Sequence, residues 1–205
     1  MRADLALVGF GNVGRCFARL LAQRRDWLAL DYDLECRIVG IATRRHGAVY
    51  DALGVDGLAA AKRVDKGDSL SAALDSPGGS RDVITRLSSS DAPLRVVVET
   101  TTLDIAGGQP AIDHVVAALS RACDVITANK GPAAFGYDDL MTRAREAGRS
   151  FLCEGAVMDG VPVLNLVRET MPVVGDERAS RSARLGAGGA VVARPHVGRR
   201  ARHAR

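Results

Sequence analysis

The spacing that can do the most chemistry is Gly9-Phe10-Gly11-Asn12-Val13-Gly14, a Gly-x-Gly-x-x-Gly run directly after the apolar stretch Leu5-Ala6-Leu7-Val8. Gly9 permits a tight turn from strand to helix, Gly11 leaves no Cβ between the backbone and an approaching pyrophosphate, and Gly14 lets the helix lie close to the strand. The N–H groups that open that helix then face phosphate with the positive end of the helix dipole. The stretch reads as a dinucleotide-binding turn, with a glycine-rich structural turn as the alternative. Further on, Thr43-Arg44-Arg45 places two guanidinium groups where a carboxylate would repel phosphate, which favours a 2′-phosphate and hence NADP over NAD. A solvated arginine pair is the competing reading.

Three more stretches carry polar groups at the ends of apolar runs. Thr100, Thr101 and Thr102 close the run Leu94-Arg95-Val96-Val97-Val98-Glu99 and are candidate contacts to a cofactor or substrate, or hydroxyls that cap a turn. Lys130 follows Asp124-Val125-Ile126-Thr127-Ala128-Asn129 in a chain that uses lysine only at Lys62, Lys66 and Lys130. Its ammonium can hydrogen-bond a substrate oxygen or a nicotinamide ribose, or it can be a surface lysine in a Lys-Gly-Pro turn. The segment Glu154-Gly155-Ala156-Val157-Met158-Asp159-Gly160-Val161-Pro162 offers backbone carbonyls and a carboxylate to a hard cation, although its chemistry alone favours an ordinary turn.

These groups need elements to hold them. Residues 5–8 read as a buried strand, and residues 12–25 as a helix with Val13, Phe17, Leu20 and Leu21 on its apolar face. Residues 35–42 form a β-branched strand that Asp31 and Asp33 precede, so neither acid stands at the end where a ribose would lie. Residues 50–91 are poorly patterned, with short helical pieces at 58–64 and 80–87 and a loop at Pro77-Gly78-Gly79-Ser80. Strands follow at 94–102, 124–128 and 150–153, with helices at 110–121, 137–147 (ended by Gly148) and 162–170. Strand and helix alternate, so the expected class is α/β: a Rossmann-type doubly wound, mostly parallel sheet with helices on both faces.

The net charge of +4 conceals an asymmetry. Residues 178–205 hold eight arginines and no acid, which leaves 20 basic and 24 acidic residues up to Glu177, a net of −4. No apolar run approaches the roughly 20 residues of a bilayer span, and the first residues have no signal-peptide core, so a cytoplasmic protein with no membrane partner is expected. Cys16, Cys36, Cys123 and Cys153 are scattered without Cys-x-x-Cys spacing and are expected to be buried, reduced thiols.

Taken together, the glycine turn, Val125-Ile126-Thr127-Ala128-Asn129-Lys130-Gly131-Pro132, and Glu154 to Pro162 with its continuation Val163-Leu164-Asn165-Leu166-Val167-Arg168-Glu169-Thr170 resemble homoserine dehydrogenase. The likeness runs from the start of the chain to about Pro172. It implies an NAD(P)-dependent oxidoreductase that interconverts L-homoserine and L-aspartate 4-semialdehyde, on the way to threonine, methionine and isoleucine. It further implies that Gly9, Phe10, Gly11, Asn12, Val13 and Gly14 hold the pyrophosphate, and that Arg44 and Arg45, with Lys62, meet the 2′-phosphate. Thr100 and Thr101 would lie by the nicotinamide half, and Lys130, the catalytic candidate, would contact cofactor ribose and substrate. A monovalent cation, usually sodium, would take the Glu154 carboxylate and the carbonyls of Val157, Asp159 and Val161. The family is homodimeric.

The expected organisation is a cofactor-binding domain over 1–153, the start of a substrate domain over 154–174, and an arginine-, alanine- and glycine-rich tail over 175–205. The family's second lysine, its proton donor and acceptor, and its acids for the substrate amine are not recognisable. The tail is expected to be disordered, with the composition of a shifted reading frame or, alternatively, of a genuine basic arm. Low or no turnover by this chain alone is therefore expected. A nucleotide-sensing module of the same fold is the main rival reading. A nucleic-acid-associated role for the tail has less to support it, because eight arginines without interleaved aromatics bind phosphate without specificity.

Overall fold

A computed structural model describes residues 1–71 and 76–158. The anticipated helix at 162–170, Asp159, Val161 and the tail lie outside the described residues.

The chain opens on β1 (Arg2–Val8), buried from Ala3 onward, as expected of a strand covered on both faces. It turns through the glycines into α1 (Asn12–Tyr32), continues through β2 (Glu35–Ala42) and a three-residue β3 (Ala48–Tyr50), and then through α2 (Gly57–Asp65) and α3 (Ser80–Ser88). The second half alternates β4 (Leu94–Glu99), α4 (Ala111–Leu119), β5 (Asp124–Thr127), α5 (Lys130–Phe135), α6 (Tyr137–Glu146), β6 (Phe151–Leu152) and α7 (Glu154–Met158). The sheet order is β3-β2-β1-β4-β5-β6, and every pairing is parallel except that of β3 with β2. Chain connections leave β1 in opposite directions, toward β2 on one side and β4 on the other, so a crevice opens at the C-terminal end of β1.

The two-residue period of the strands sorts side chains between two cores. Ala6 and Val8 of β1, Val97 of β4, Val125 of β5 and Phe151 of β6 join Val83, Ile84 and Leu87 of α3, Val115 and Leu119 of α4, and Leu140 of α6. On the opposite face Leu7, Ile38, Ile41 and Val98 meet Ala18 of α1 and Ala60, Ala61 and Val64 of α2. That second layer stops short. Ile126 and Leu152, paired across β5 and β6, are 42% and 53% exposed.

Several expectations change. The first helix runs to Tyr32, ending where Asp33 takes a left-handed conformation and its N–H reaches the Leu28 carbonyl. Its buried face is Gly14 and Ala18, with Phe17 and Leu21 partly covered, whereas Val13 and Leu20 face outward. Small residues are buried because helix and strand approach closely: a Cβ on Gly14 would lie 2.7 Å from the Gly9 carbonyl oxygen. β3 was not anticipated. β4 ends at Glu99, so the three threonines occupy the loop beyond it. The expected turns at Lys130 and Glu154 open α5 and α7 instead. Among the thiols only Cys123 and Cys153 are buried; Cys36 is half-buried and Cys16 is exposed. Burial pushes Cys36, Cys123 and Cys153 above the ordinary thiol range.

Candidate functional site

The glycine turn is locked to the end of β2 and to the loop after β4. Gly9 has φ +92°, and a Cβ there would come within 2.5 Å of the Thr100 carbonyl group, so no other residue fits without movement. Gly9 N–H donates to the Ala42 carbonyl at 2.9 Å, and the Thr100 hydroxyl donates to the Gly9 carbonyl at 2.9 Å. Gly11 differs, because a Cβ on it would meet nothing within 4 Å. The space beside it is open.

Gly11 is also the N-cap of α1, without a side-chain cap and without an acid in the first turn. The start of α5 contrasts with it: there the cap Asn129 takes the Gly131 N–H on its own Oδ1 at 2.9 Å. Hydrogen-bond donors at the start of α1 are thus left for a ligand, with the dipole unopposed. Arg15, on the second turn, donates to the Phe10 carbonyl and to Asn12 Oδ1 and pairs with Asp65 of α2 at 3.0 Å, which ties the turn to α2.

The loop from β2 to β3 is a tight hairpin tip. Thr43 N–H and its hydroxyl both donate to the Gly47 carbonyl, and His46 N–H donates to Thr43 Oγ1 at 2.7 Å. The tip presents Arg44 and Arg45, both exposed, and neither has an acidic partner among the described residues. His46 Nδ1 donates to the Asp68 carbonyl, since a carbonyl only accepts.

A cleft of about 320 Å³ joins these parts, lined by Gly9, Phe10, Gly11, Arg15, Thr43, Arg44, Arg45, His46, Val64 and Thr100 to Thr102. A larger hollow of about 500 Å³ lies between α1 and α2 at the N-terminal end of β2, walled by Arg25, Glu35, Arg37 and Asp56 among aliphatic side chains. The smaller cleft is the functional candidate, because ligands of open α/β sheets lie outside the C-terminal ends of strands. Asp33 is at the far end of the sheet, as its position before β2 implies.

Beyond the cleft, β4 and β5 release two loops joined by a ring of hydrogen bonds. Glu99 is fully buried; its Oε1 accepts from the N–H (2.9 Å) and the hydroxyl of Thr101, and its Oε2 accepts from the Thr127 hydroxyl at 2.8 Å. Thr127 Oγ1 accepts the Asn129 N–H at 3.0 Å, and Asn129 Nδ2 donates to the Thr101 carbonyl at 3.1 Å. Lys130 follows as the first residue of α5, exposed beside the buried Gly131 and Pro132. His114 of α4 is buried near this ring; burial holds it below the ordinary histidine range against the pull of Glu99 and Asp113.

The family model described as the NAD-binding domain of homoserine dehydrogenase matches residues 9–154, from the first glycine of the turn to the first residue of α7. The chain belongs to the homoserine dehydrogenase family. A homoserine dehydrogenase of Methanocaldococcus jannaschii is 32% identical over 168 residues, covering 82% of this chain and 48% of that protein. An NAD(+)-dependent homoserine dehydrogenase of Pseudomonas canavaninivorans is 34% identical over 167 residues, covering 82% and 47%. Among solved structures, a hyperthermophilic archaeal homoserine dehydrogenase mutant in complex with NADPH superposes with a TM-score of 0.66 at 25% identity, over 83% of this chain and 49% of that one. The chain spans about half the length of the curated relatives it matches.

Against this family frame the expected site residues divide. Gly9, Phe10, Gly11, Arg44, Arg45, Thr100 and Thr101 line one cleft, while Asn12, Val13 and Gly14 form the first turn of the helix beside it. Lys62 is on the exposed side of α2, outside the lining residues. Lys130 belongs to the neighbouring loop pair. Glu154 is half-buried at the start of α7, and Val157 is in the same helix. Among the described residues no cluster of His, Cys, Asp or Glu could hold a metal ion, and no helix is long and apolar enough to cross a membrane. Arg15, His46, Thr127, Asn129 and Glu99 were missed. The alternation of β4 hinted only at the last, since Glu99 has the same parity as the buried Val97.

Proposed function

We propose that this chain is the cofactor-binding half of a homoserine dehydrogenase and that it holds NADP(H) in preference to NAD(H). The observation that carries this reading is the union, in one cleft, of an open helix start beside Gly11 with Arg44 and Arg45, which have no acidic partner among the described residues. The pyrophosphate takes the α1 N–H groups and the room beside Gly11, and the arginines neutralise a 2′-phosphate across the mouth of the hairpin. The similarity to the archaeal homoserine dehydrogenase solved in complex with NADPH supports the same ligand class.

The bound nicotinamide supplies hydride transfer between L-homoserine and L-aspartate 4-semialdehyde. The part assigned to this chain is binding and orientation. Thr100 and Thr101 border the nicotinamide half, and Lys130 offers an ammonium to the cofactor ribose and the substrate oxygen. A monovalent cation such as sodium is proposed for the turn from Glu154 to Val161. It would draw on the Glu154 carboxylate and on carbonyls such as that of Val157, since the last carbonyls of a short helix have no intrahelical donor. Asp159 and Val161 complete that set outside the described residues. Second-domain groups that close the substrate pocket in a dimeric enzyme have no counterpart among the described residues, so slow or no homoserine oxidation by this chain alone is expected.

A thermal-shift titration with NADPH and NADH, run beside a homoserine oxidation assay, tests the reading. A ligand that binds only the folded state raises the melting temperature, by about 2.7 kcal/mol of stabilisation at a hundredfold excess over its Kd. Stabilisation by NADPH above that by NADH, with little turnover, is the expected result. No stabilisation by either cofactor overturns it.

A further inference from the structure

The glycine turn and the arginine hairpin hang on β1, β2 and β3. The loops after β4 and β5, which carry Thr101 and Lys130, are held by something else. The group at the centre of those two loops is Glu99, the last residue of β4, whose carboxylate is removed from solvent and surrounded by donors. A buried carboxylate is retained only where its oxygens are satisfied. Here both Thr101 donors converge on one oxygen and the Thr127 hydroxyl on the other. The Thr127 hydroxyl thus donates to Glu99 while one of its lone pairs takes the Asn129 N–H, which links the carboxylate to the second loop. The side chain of Asn129 then does two things at once. It donates to the Thr101 carbonyl, closing the ring, and it accepts the Gly131 N–H, starting α5 on the residue after itself.

We propose that Glu99 is a positioning residue: through the closed ring Glu99–Thr101–Asn129–Thr127 it sets the loops after β4 and β5 in one register and so fixes Lys130 beside the nicotinamide half of the cofactor. This rests on the cofactor reading above and deepens it. Two further features support a positioning role over a merely cohesive one. Gly131 approaches Gly108 of the first loop so closely that a Cβ on it would lie 2.7 Å from the Gly108 Cα, so the start of α5 has no room to shift. Thr100 is tied separately to β1, by its N–H to the Val8 carbonyl and its hydroxyl to the Gly9 carbonyl. Loosening the ring therefore leaves the pyrophosphate side anchored and frees only the nicotinamide side.

The test compares NADPH with 2′-phospho-ADP, which lacks both the nicotinamide and its ribose, by titration of the 205-residue protein. Each ligand is accompanied by its counterpart without the 2′-phosphate. In Glu99→Gln an amide donor meets at least one of the three donors that converge there. Thr127→Val keeps the shape, removes the hydroxyl and orphans the Asn129 N–H, whereas Thr127→Ser keeps the hydroxyl. Both disruptive variants are expected to weaken NADPH roughly tenfold, the lower range for orphaning a buried polar group, and to leave 2′-phospho-ADP unchanged. Nicotinamide fluorescence enhancement on binding should fall with them, and Thr127→Ser should behave as wild type. If Glu99→Gln does not fold, the Thr127 pair carries the same comparison.

Equal losses for both ligands would make the ring purely structural and overturn the proposal. So would unchanged NADPH affinity in folded variants, or wild-type protein that binds the two ligands equally. Wild-type protein that binds none of the four ligands would instead remove the cofactor reading itself, and this proposal with it.

Discussion

The sheet is finished differently on the two sides of β1. Toward β2 and β3 it is covered on both faces, by α1 and α2 on one and α3 on the other, and the ligand groups sit on a turn and a hairpin that are each closed by their own hydrogen bonds. Toward β5 and β6 only the α4 and α6 face is covered among the described residues, and Ile126 and Leu152 stand open on the other. There the loops are held by one buried polar ring instead of a second layer. On the proposed reading, the groups assigned to the adenosine half all lie within the described fold, and presentation of the nicotinamide half depends on a few hydrogen bonds.

The comparison breaks most readily at its hinge. Gly9→Ala, with a positive φ and a Cβ driven into the Thr100 carbonyl, should cost about 3 to 4 kcal/mol and abolish cofactor binding. Gly11→Ala, with open space beside it, should melt within about 0.5 kcal/mol of wild type and still lose most of its NADPH affinity. Chemical denaturation and cofactor titration of the two variants separate a fold glycine from a ligand glycine. On the covered side, Leu7→Ala should cost about 3 kcal/mol, as the loss of a fully buried strand residue requires.

Acid should find both sides, in two windows. Burial raises Asp4, but hydrogen bonds from Arg37 and Ser90 and the charges of Arg37 and Arg2 outweigh it and hold the carboxyl below its usual 3.8. Its contribution is thus complete above pH 3.8 and lost as the pH falls through the folded value. His114, held by burial below its usual 6.5, must take up a proton on unfolding, so stability already declines as the pH falls below 6.5. Melting curves against pH should show both declines. His114→Gln should remove the upper one. Asp4→Asn should flatten the lower one while costing about 2 kcal/mol at neutral pH, less than a fully buried pair because Arg37 is partly exposed.

Smaller effects sharpen the contrast. Arg44→Ala with Arg45→Ala should lower NADPH affinity about tenfold, leave NADH affinity nearly unchanged and leave the melting temperature alone, since neither guanidinium has an acidic partner among the described residues. Loss of both cofactors in parallel would place the arginines at the pyrophosphate instead. Ile126→Thr should change stability by no more than about 0.5 kcal/mol, in contrast to Leu7→Ala, because little of Ile126 is removed from water. A cost near 2 kcal/mol would mean that the face is covered in solution.

Legibility in the sequence followed the range of the interaction. The first strand, the glycine turn and the start of α1 were readable because their rules act over a few residues. So were β2 and α3, and so was the end of α6, where Gly148 takes φ +61° just beyond the helix. The two faces of α1 were not separable. Val13 and Leu20 recur at helical spacing, as do Gly14, Ala18 and Leu21, and only the close approach of the helix to β1 decides which set is buried. β3 escaped notice because three residues carry no period of their own, and their strand exists through pairing with β2.

Lys130 and Glu99 mark the same divide within the site. A lysine where the chain otherwise uses arginine is visible as a residue type. That its neighbour Asn129 caps a helix was also within reach, since Asn is a favoured cap and Pro132 suits a first turn. The role of Glu99 was not: at a strand end a glutamate reads as a solvated charge until Thr127, from 28 residues away, closes over it.

By itself the sequence determined the alternation of strand and helix, the glycine turn after the first strand and the pair of guanidinium groups after the second, because each follows from local backbone freedom or residue charge. Only the tertiary structure decided which groups share a cleft, which face of each helix is dry and which buried carboxylate ties the second pair of loops. Those outcomes depend on contacts between residues far apart in the chain, and the free energy of burying a polar group is defined only once its partners arrive.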